Sequence, residues 1–70
     1  PDESPYIYYE AIAQYAVKAL SDRGILFVEI NEQFGREICS IFSDAGLTDS
    51  QIICDLNGKD RFVRAFSAGF

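Results

Sequence analysis

The run Ile25-Leu26-Phe27-Val28-Glu29-Ile30 limits the possible folds of this chain more than any other segment. It is apolar at both alternating sets of positions, rich in branched and aromatic side chains, and too short for a helix. It therefore reads as a strand buried on both faces, of the kind found in parallel sheets that carry helices above and below. The remainder of the chain has to account for what covers it.

Two helical patterns flank that strand. From Tyr6 to Leu20, Tyr9, Ile12, Ala13, Ala16 and Leu20 recur at helical spacing, with Glu10, Gln14 and Lys18 on the other side. Ser4-Pro5 marks the start and Ser21-Asp22-Arg23-Gly24 the stop, with Gly24 free to take a positive φ. Asn31 has the chemistry of an N-cap, and Glu32 follows in a first turn where a carboxylate suits the positive helix end. Phe34, Ile38, Ile41, Phe42 and Ala45 then form the stripe of a second helix that Gly46 ends. Gln51–Leu56 and Arg61–Phe66 read as two further strands, joined through Asn57-Gly58 in a type I′ turn. The order is αβαββ over residues 1–70 as a single unit, with no internal repeat or linker.

A strand-helix-strand crossover is right-handed, so helices flanking the first strand land on one face of a sheet that grows in one direction. The other face is then bare. Either the chain is the end of a larger doubly wound sheet with a part missing upstream, or a second copy packs on the open face as a homodimer. Small domains also turn to metals or disulfides. Two cysteines without a single histidine make no structural zinc site, and Cys39 on a helix with Cys54 on a strand are expected to be free thiols, which favours a reducing, cytoplasmic setting. No apolar run approaches a membrane span, and the acidic start does not resemble a signal peptide. Eleven acidic against six basic residues give a net charge of -5, which disfavours direct binding to nucleic acid.

Glu29-Ile30 closing an apolar strand, Gly35 in the next helix, and Asp55-Leu56-Asn57-Gly58-Lys59-Asp60-Arg61-Phe62-Val63 around a hairpin are together familiar. On these residues the chain resembles the C-terminal part of the HemK (PrmC) family, S-adenosylmethionine-dependent methyltransferases that modify a glutamine side-chain amide in peptide-chain release factors. The resemblance runs from Tyr8-Tyr9 to the last strand, and Asp-Leu-x-Gly-x-Asp-Arg is its most specific piece. It implies an α/β fold in which this chain supplies the fifth, sixth and seventh strands of a seven-stranded, doubly wound sheet, the last inserted antiparallel between the other two. It also implies S-adenosylmethionine as cofactor of the full-length protein and a release factor as protein substrate. Two positions depart from the family pattern: Asn31 stands where Gly is usual, and Phe34 replaces a Gln that commonly precedes the helix glycine. The family's glycine-rich cofactor loop and its Asn-Pro-Pro-Tyr motif do not occur here, so the chain is expected to bind no cofactor and to be inactive alone.

Glu29, a carboxylate at the C-terminal end of an apolar strand, stands where ligands sit in open α/β sheets. It is the first candidate for substrate binding, as a polar wall accepting a hydrogen bond from the glutamine amide; its plainer reading is a solvated strand end or a partner of arginine. Asn31 is the second candidate, with helix capping as its plainer role. Arg61 either meets an acidic partner or pairs with Asp55 across the hairpin, and Lys59, Arg61 and Arg64 are too dilute for a basic patch. The tyrosines of the first helix read as core and solvent rim. No catalytic dyad is expected, because methyl transfer to an amide rests on orientation and electrostatics. An older family name, protoporphyrinogen oxidase, finds no supporting residues. The rival reading from another class is a small non-enzymatic αβαββ dimerisation module.

Overall fold

A computed structural model describes residues 6–21 and 23–67. In chain order these form helix α1 (Tyr6–Ala19), strand β1 (Ile25–Glu29), a 3-10 turn (Glu32–Phe34), helix α2 (Gly35–Ala45), and strands β2 (Thr48–Cys54) and β3 (Asp60–Phe66). The three strands make one sheet in the order β1-β3-β2, with β3 antiparallel to both neighbours. β1 and β2 thus run the same way without touching, and the last strand lies between them as expected. The expected helix start at Ser4-Pro5 and the stop residue Asp22 lie outside the described residues.

The core forms between the helices and one face of the sheet. Ala13 and Ala16 of α1 and Ile38 and Phe42 of α2 pack with Ile30, Leu47, Val63 and Ala65, all of them buried. Two alanines on α1 let α2 approach closely, and Val63 and Ala65 supply the covered face of the central strand. The Cα framework measures 33 × 32 × 15 Å, a slab one sheet and one helix layer thick. β1 is accordingly not buried on both faces within this chain. Leu26 and Val28 pack against the core, whereas Ile25 and Phe27 remain 56% and 53% exposed. Phe27 stacks on Phe62 with ring centroids 5.0 Å apart, and Arg64 lies over Phe66, so the open face is organised as well as apolar.

Several local expectations change. Gly24 does not take the positive φ at the end of α1; Arg23 does, at 66°. Glycine is needed at 24 for proximity, since a Cβ there would stand 2.9 Å from the Ser21 carbonyl oxygen and from the Leu20 Cβ. Asn31 caps the 3-10 turn rather than α2, its Oδ1 accepting from the Gln33 N–H at 2.9 Å, and Glu32 lies in that turn. β2 begins at Thr48 and ends at Cys54, earlier than Gln51–Leu56, with its ladder interrupted between Thr48 and Gln51, where Asp49 adopts φ 54°. Asp55 and Leu56 belong to the turn, and the turn is not type I′. Gly58 has a positive φ but Asn57 does not; the Gly58 N–H donates to the Asp55 carbonyl at 3.0 Å and the Asp55 N–H to the Lys59 carbonyl at 2.9 Å. This is a type I turn closed by a left-handed glycine, the usual three-residue hairpin loop. Gly46 ends α2 as expected, with φ 113°. Its N–H donates to the Ser43 carbonyl and that of Leu47 to the Phe42 carbonyl, the paired bonds of a Schellman cap.

Candidate functional site

The C-terminal end of β1 is where the sequence candidates lie, and three elements converge on it. Glu29 is the last residue of the β1 ladder, opposite Phe62 of β3, and its side chain is exposed on the open face. One residue on, the Ile30 N–H donates to the Arg61 carbonyl at 2.8 Å, which carries the chain past the end of the strand and buries the Ile30 side chain. Asn31 then turns the backbone, its side chain bound to the Gln33 amide and its carbonyl accepting from the Phe34 N–H at 3.0 Å. Glu29 and Asn31 therefore stand close together on a short rim with a fixed backbone. The structure gives Asn31 the capping role that its chemistry suggests.

From the helix side, the Tyr9 hydroxyl donates to the Glu29 carbonyl at 2.9 Å, across twenty residues of sequence. Burial first, and then the neighbouring Tyr8 and Glu29, push the Tyr9 pKa above its ordinary value, so the phenol keeps its proton. Tyr6 meets Phe34 edge-on at 5.4 Å, joining the start of α1 to the 3-10 turn that follows the rim. Tyr9 was legible only as a core or rim residue. The signal available was a phenol on the apolar stripe of a helix, since a partly covered tyrosine hydroxyl needs a polar partner.

From the hairpin side, Arg61 Nε meets Asp55 Oδ2 at 2.9 Å, the ion pair that is the plainer of its two readings. This hydrogen bond is the main reason the Arg61 pKa is raised, and Glu32 and Glu29 add smaller electrostatic contributions. Asp55, not Glu29 or Glu32, is the partner that engages the Arg61 guanidinium. Arg64 is on the other face of β3, hydrogen-bonded to Gln51 and stacked over Phe66, so the basic residues of this strand do not gather into a patch.

A second acidic group, Asp60, faces the two thiols. The exposed Cys54 Sγ donates to Asp60 Oδ1 at 3.4 Å, and that bond leads the causes that raise the Cys54 pKa. Burial, followed by Asp60, raises Cys39. Both thiols are free, as the sequence implies, and both are held away from the reactive thiolate form. Among the described residues no cluster of His, Cys, Asp or Glu is placed to hold a metal ion, and no helix is long and apolar enough to cross a membrane.

A hollow between α1 and α2, lined in part by Glu10, Lys18 and Asp44, includes neither Glu29 nor Asn31. The described glycines serve the packing and turns of the fold. Gly24 and Gly35 are sites of close packing, Gly46 ends α2 and Gly58 turns the hairpin, and none opens a glycine-rich turn between a strand and a helix. This geometry places an exposed carboxylate and a capping amide side by side at the end of a strand.

Comparison with known proteins leads to one family. The chain is 34% identical over 65 residues to a release factor glutamine methyltransferase of Bacteroides thetaiotaomicron, a match covering 93% of this chain and 23% of that protein. Proteins of the same name from Flavobacterium psychrophilum and Cereibacter sphaeroides are 27% and 39% identical over 63 and 57 residues, covering 22% and 20% of their lengths. The chain therefore spans a quarter or less of these relatives. No family model matches it, and no solved structure matches it significantly. By these matches the chain is similar to the C-terminal part of release factor glutamine methyltransferases, the HemK (PrmC) family that its residues resemble.

Proposed function

We propose that residues 1–70 act as one unit of a longer S-adenosylmethionine-dependent methyltransferase that modifies a glutamine side-chain amide in a peptide-chain release factor, in the cytoplasm. The unit closes one end of a doubly wound sheet, and its Glu29–Asn31 rim forms one wall of the substrate pocket. The remainder of the same protein supplies the cofactor site and the opposite wall, so this chain is inactive alone. The observation that carries the reading is the position of Glu29: an exposed carboxylate at the C-terminal end of a strand, on a backbone held from both sides, in a chain whose relatives are named for glutamine methylation.

In this site the Glu29 carboxylate accepts a hydrogen bond from the substrate amide N–H and orients its nitrogen toward the methyl donor. Asn31 keeps the turn in place and presents its remaining amide group to the substrate backbone. The cofactor supplies the electrophilic methyl group; this chain's part is orientation.

The test is Glu29→Gln in the complete enzyme. A hydrogen bond to a charged acceptor is worth about 1.5–3 kcal/mol, so kcat/KM for the release factor falls roughly 10- to 100-fold. The KM for S-adenosylmethionine and the thermal midpoint stay where they were, because Glu29 is exposed. Unaltered release-factor kinetics would remove Glu29 from the pocket.

A further inference from the structure

The register of β1 against β3 decides where the Glu29 carbonyl points. Because the Ile30 N–H bonds to the Arg61 carbonyl, Glu29 and Phe62 form a non-hydrogen-bonded pair. In such a pair both backbone polar groups of Glu29 turn away from β3, toward the outer edge of the sheet. β1 is an edge strand in this chain, so no described strand pairs with that carbonyl. The Tyr9 hydroxyl reaches it instead, at 2.9 Å.

Resting on the pocket wall proposed above, we infer that Tyr9 is a positioning residue for that wall: its hydroxyl caps the outer-edge carbonyl of Glu29 and so fixes the direction of the Glu29 side chain. The peptide of a strand end rotates when one side of it is unheld, and the side chain rotates with it. Here the inner side is held through Ile30 and Arg61, the forward side through the Asn31 cap, and the outer side through Tyr9 alone among the described hydrogen bonds. The Tyr8 ring stands edge-on to Tyr9 at 5.3 Å and restricts the swing of the phenol.

Tyr9→Phe removes the hydroxyl and leaves the ring. In the complete enzyme, kcat/KM for the release factor falls about three- to tenfold, in line with one neutral hydrogen bond, while the KM for S-adenosylmethionine is unchanged. The same substitution in a Glu29→Gln background costs little more, because the group being positioned has already been altered. A Tyr9→Phe enzyme with full activity overturns the inference. So does a loss of equal size in both backgrounds, or one that affects both substrates together with the thermal midpoint, each of which marks a purely structural tyrosine. If Glu29→Gln is itself without effect, the pocket-wall reading fails first, and the single variant shows which of the two has failed.

Discussion

The Asp55 carboxylate accepts from the Arg61 guanidinium at 2.9 Å, from the Lys59 N–H at 3.0 Å and from the Asn57 N–H at 2.8 Å. The bond to Arg61 leads, and together these contacts lower the Asp55 pKa to about 2. Unfolded, the same group titrates near its ordinary value of about 3.9. A depressed folded-state pKa means that the folded form is favoured wherever the carboxyl is ionised; this stabilisation is complete above about pH 4 and is lost as the pH falls toward about 2. Urea unfolding of the chain across that interval therefore shows a stability difference between wild type and Asp55→Asn that shrinks to nothing at the acid end. A difference that persists unchanged at about pH 2 would place the effect elsewhere. The same residue explains why the turn was misread. Asn57-Gly58 locates the hairpin, but a two-residue rule does not include Asp55, two positions earlier, where a carboxylate that can bond to two amides ahead favours a type I turn.

At the scale of elements, the spacing of apolar and turn residues was enough to place both helices and all three strands. Their ends depend on contacts that spacing does not contain. The 3-10 turn before α2 follows from Asn31 capping Gln33 four residues ahead of the helix start, and β2 gains its first residues through the bond from the Thr48 hydroxyl to the Phe66 carbonyl at 3.4 Å. The end of α2 is the exception, since a glycine after an apolar stripe signals a left-handed cap directly. Gly46 has φ 113°, and a Cβ added there would approach nothing closer than the Val17 Cγ2 at 3.9 Å. Substitution at this position thus tests backbone conformation without steric interference. Gly46→Ala costs about 1–2 kcal/mol, read as a lower urea midpoint at an unchanged slope, and Gly46→Asn costs less because asparagine tolerates this region. Equal costs for the two variants would mean that the Schellman cap is not what the glycine secures.

On the scale of the whole molecule, the handedness of the crossovers correctly put both helices on one face, while the antiparallel insertion of β3 was legible only through family resemblance. Sequence periodicity assigned cover to both faces of β1, yet the slab leaves Ile25, Phe27, Ile53, Phe62 and Phe66 on the side away from the helices. An apolar face of this kind is unstable in water without a cover, and the two readings of the chain differ in what provides it. If the chain is one end of a longer methyltransferase, the cover belongs to the same protein; if it is a dimerisation module, a second copy provides it. Phe27→Glu separates them. Arg64 lies directly across from Phe27 in the register, so the new carboxylate has a cation opposite it and the isolated chain tolerates the charge. On the methyltransferase reading, the isolated wild-type chain self-associates weakly and with no fixed stoichiometry in sedimentation experiments, and Phe27→Glu makes it monomeric without lowering its unfolding midpoint. In the complete enzyme the same carboxylate is buried against the cover, lowering stability by about 3 kcal/mol or more. A complete enzyme indifferent to Phe27→Glu, together with an isolated wild-type chain that is a tight and discrete dimer, would transfer the open face from the interior of a larger enzyme to an interface between copies.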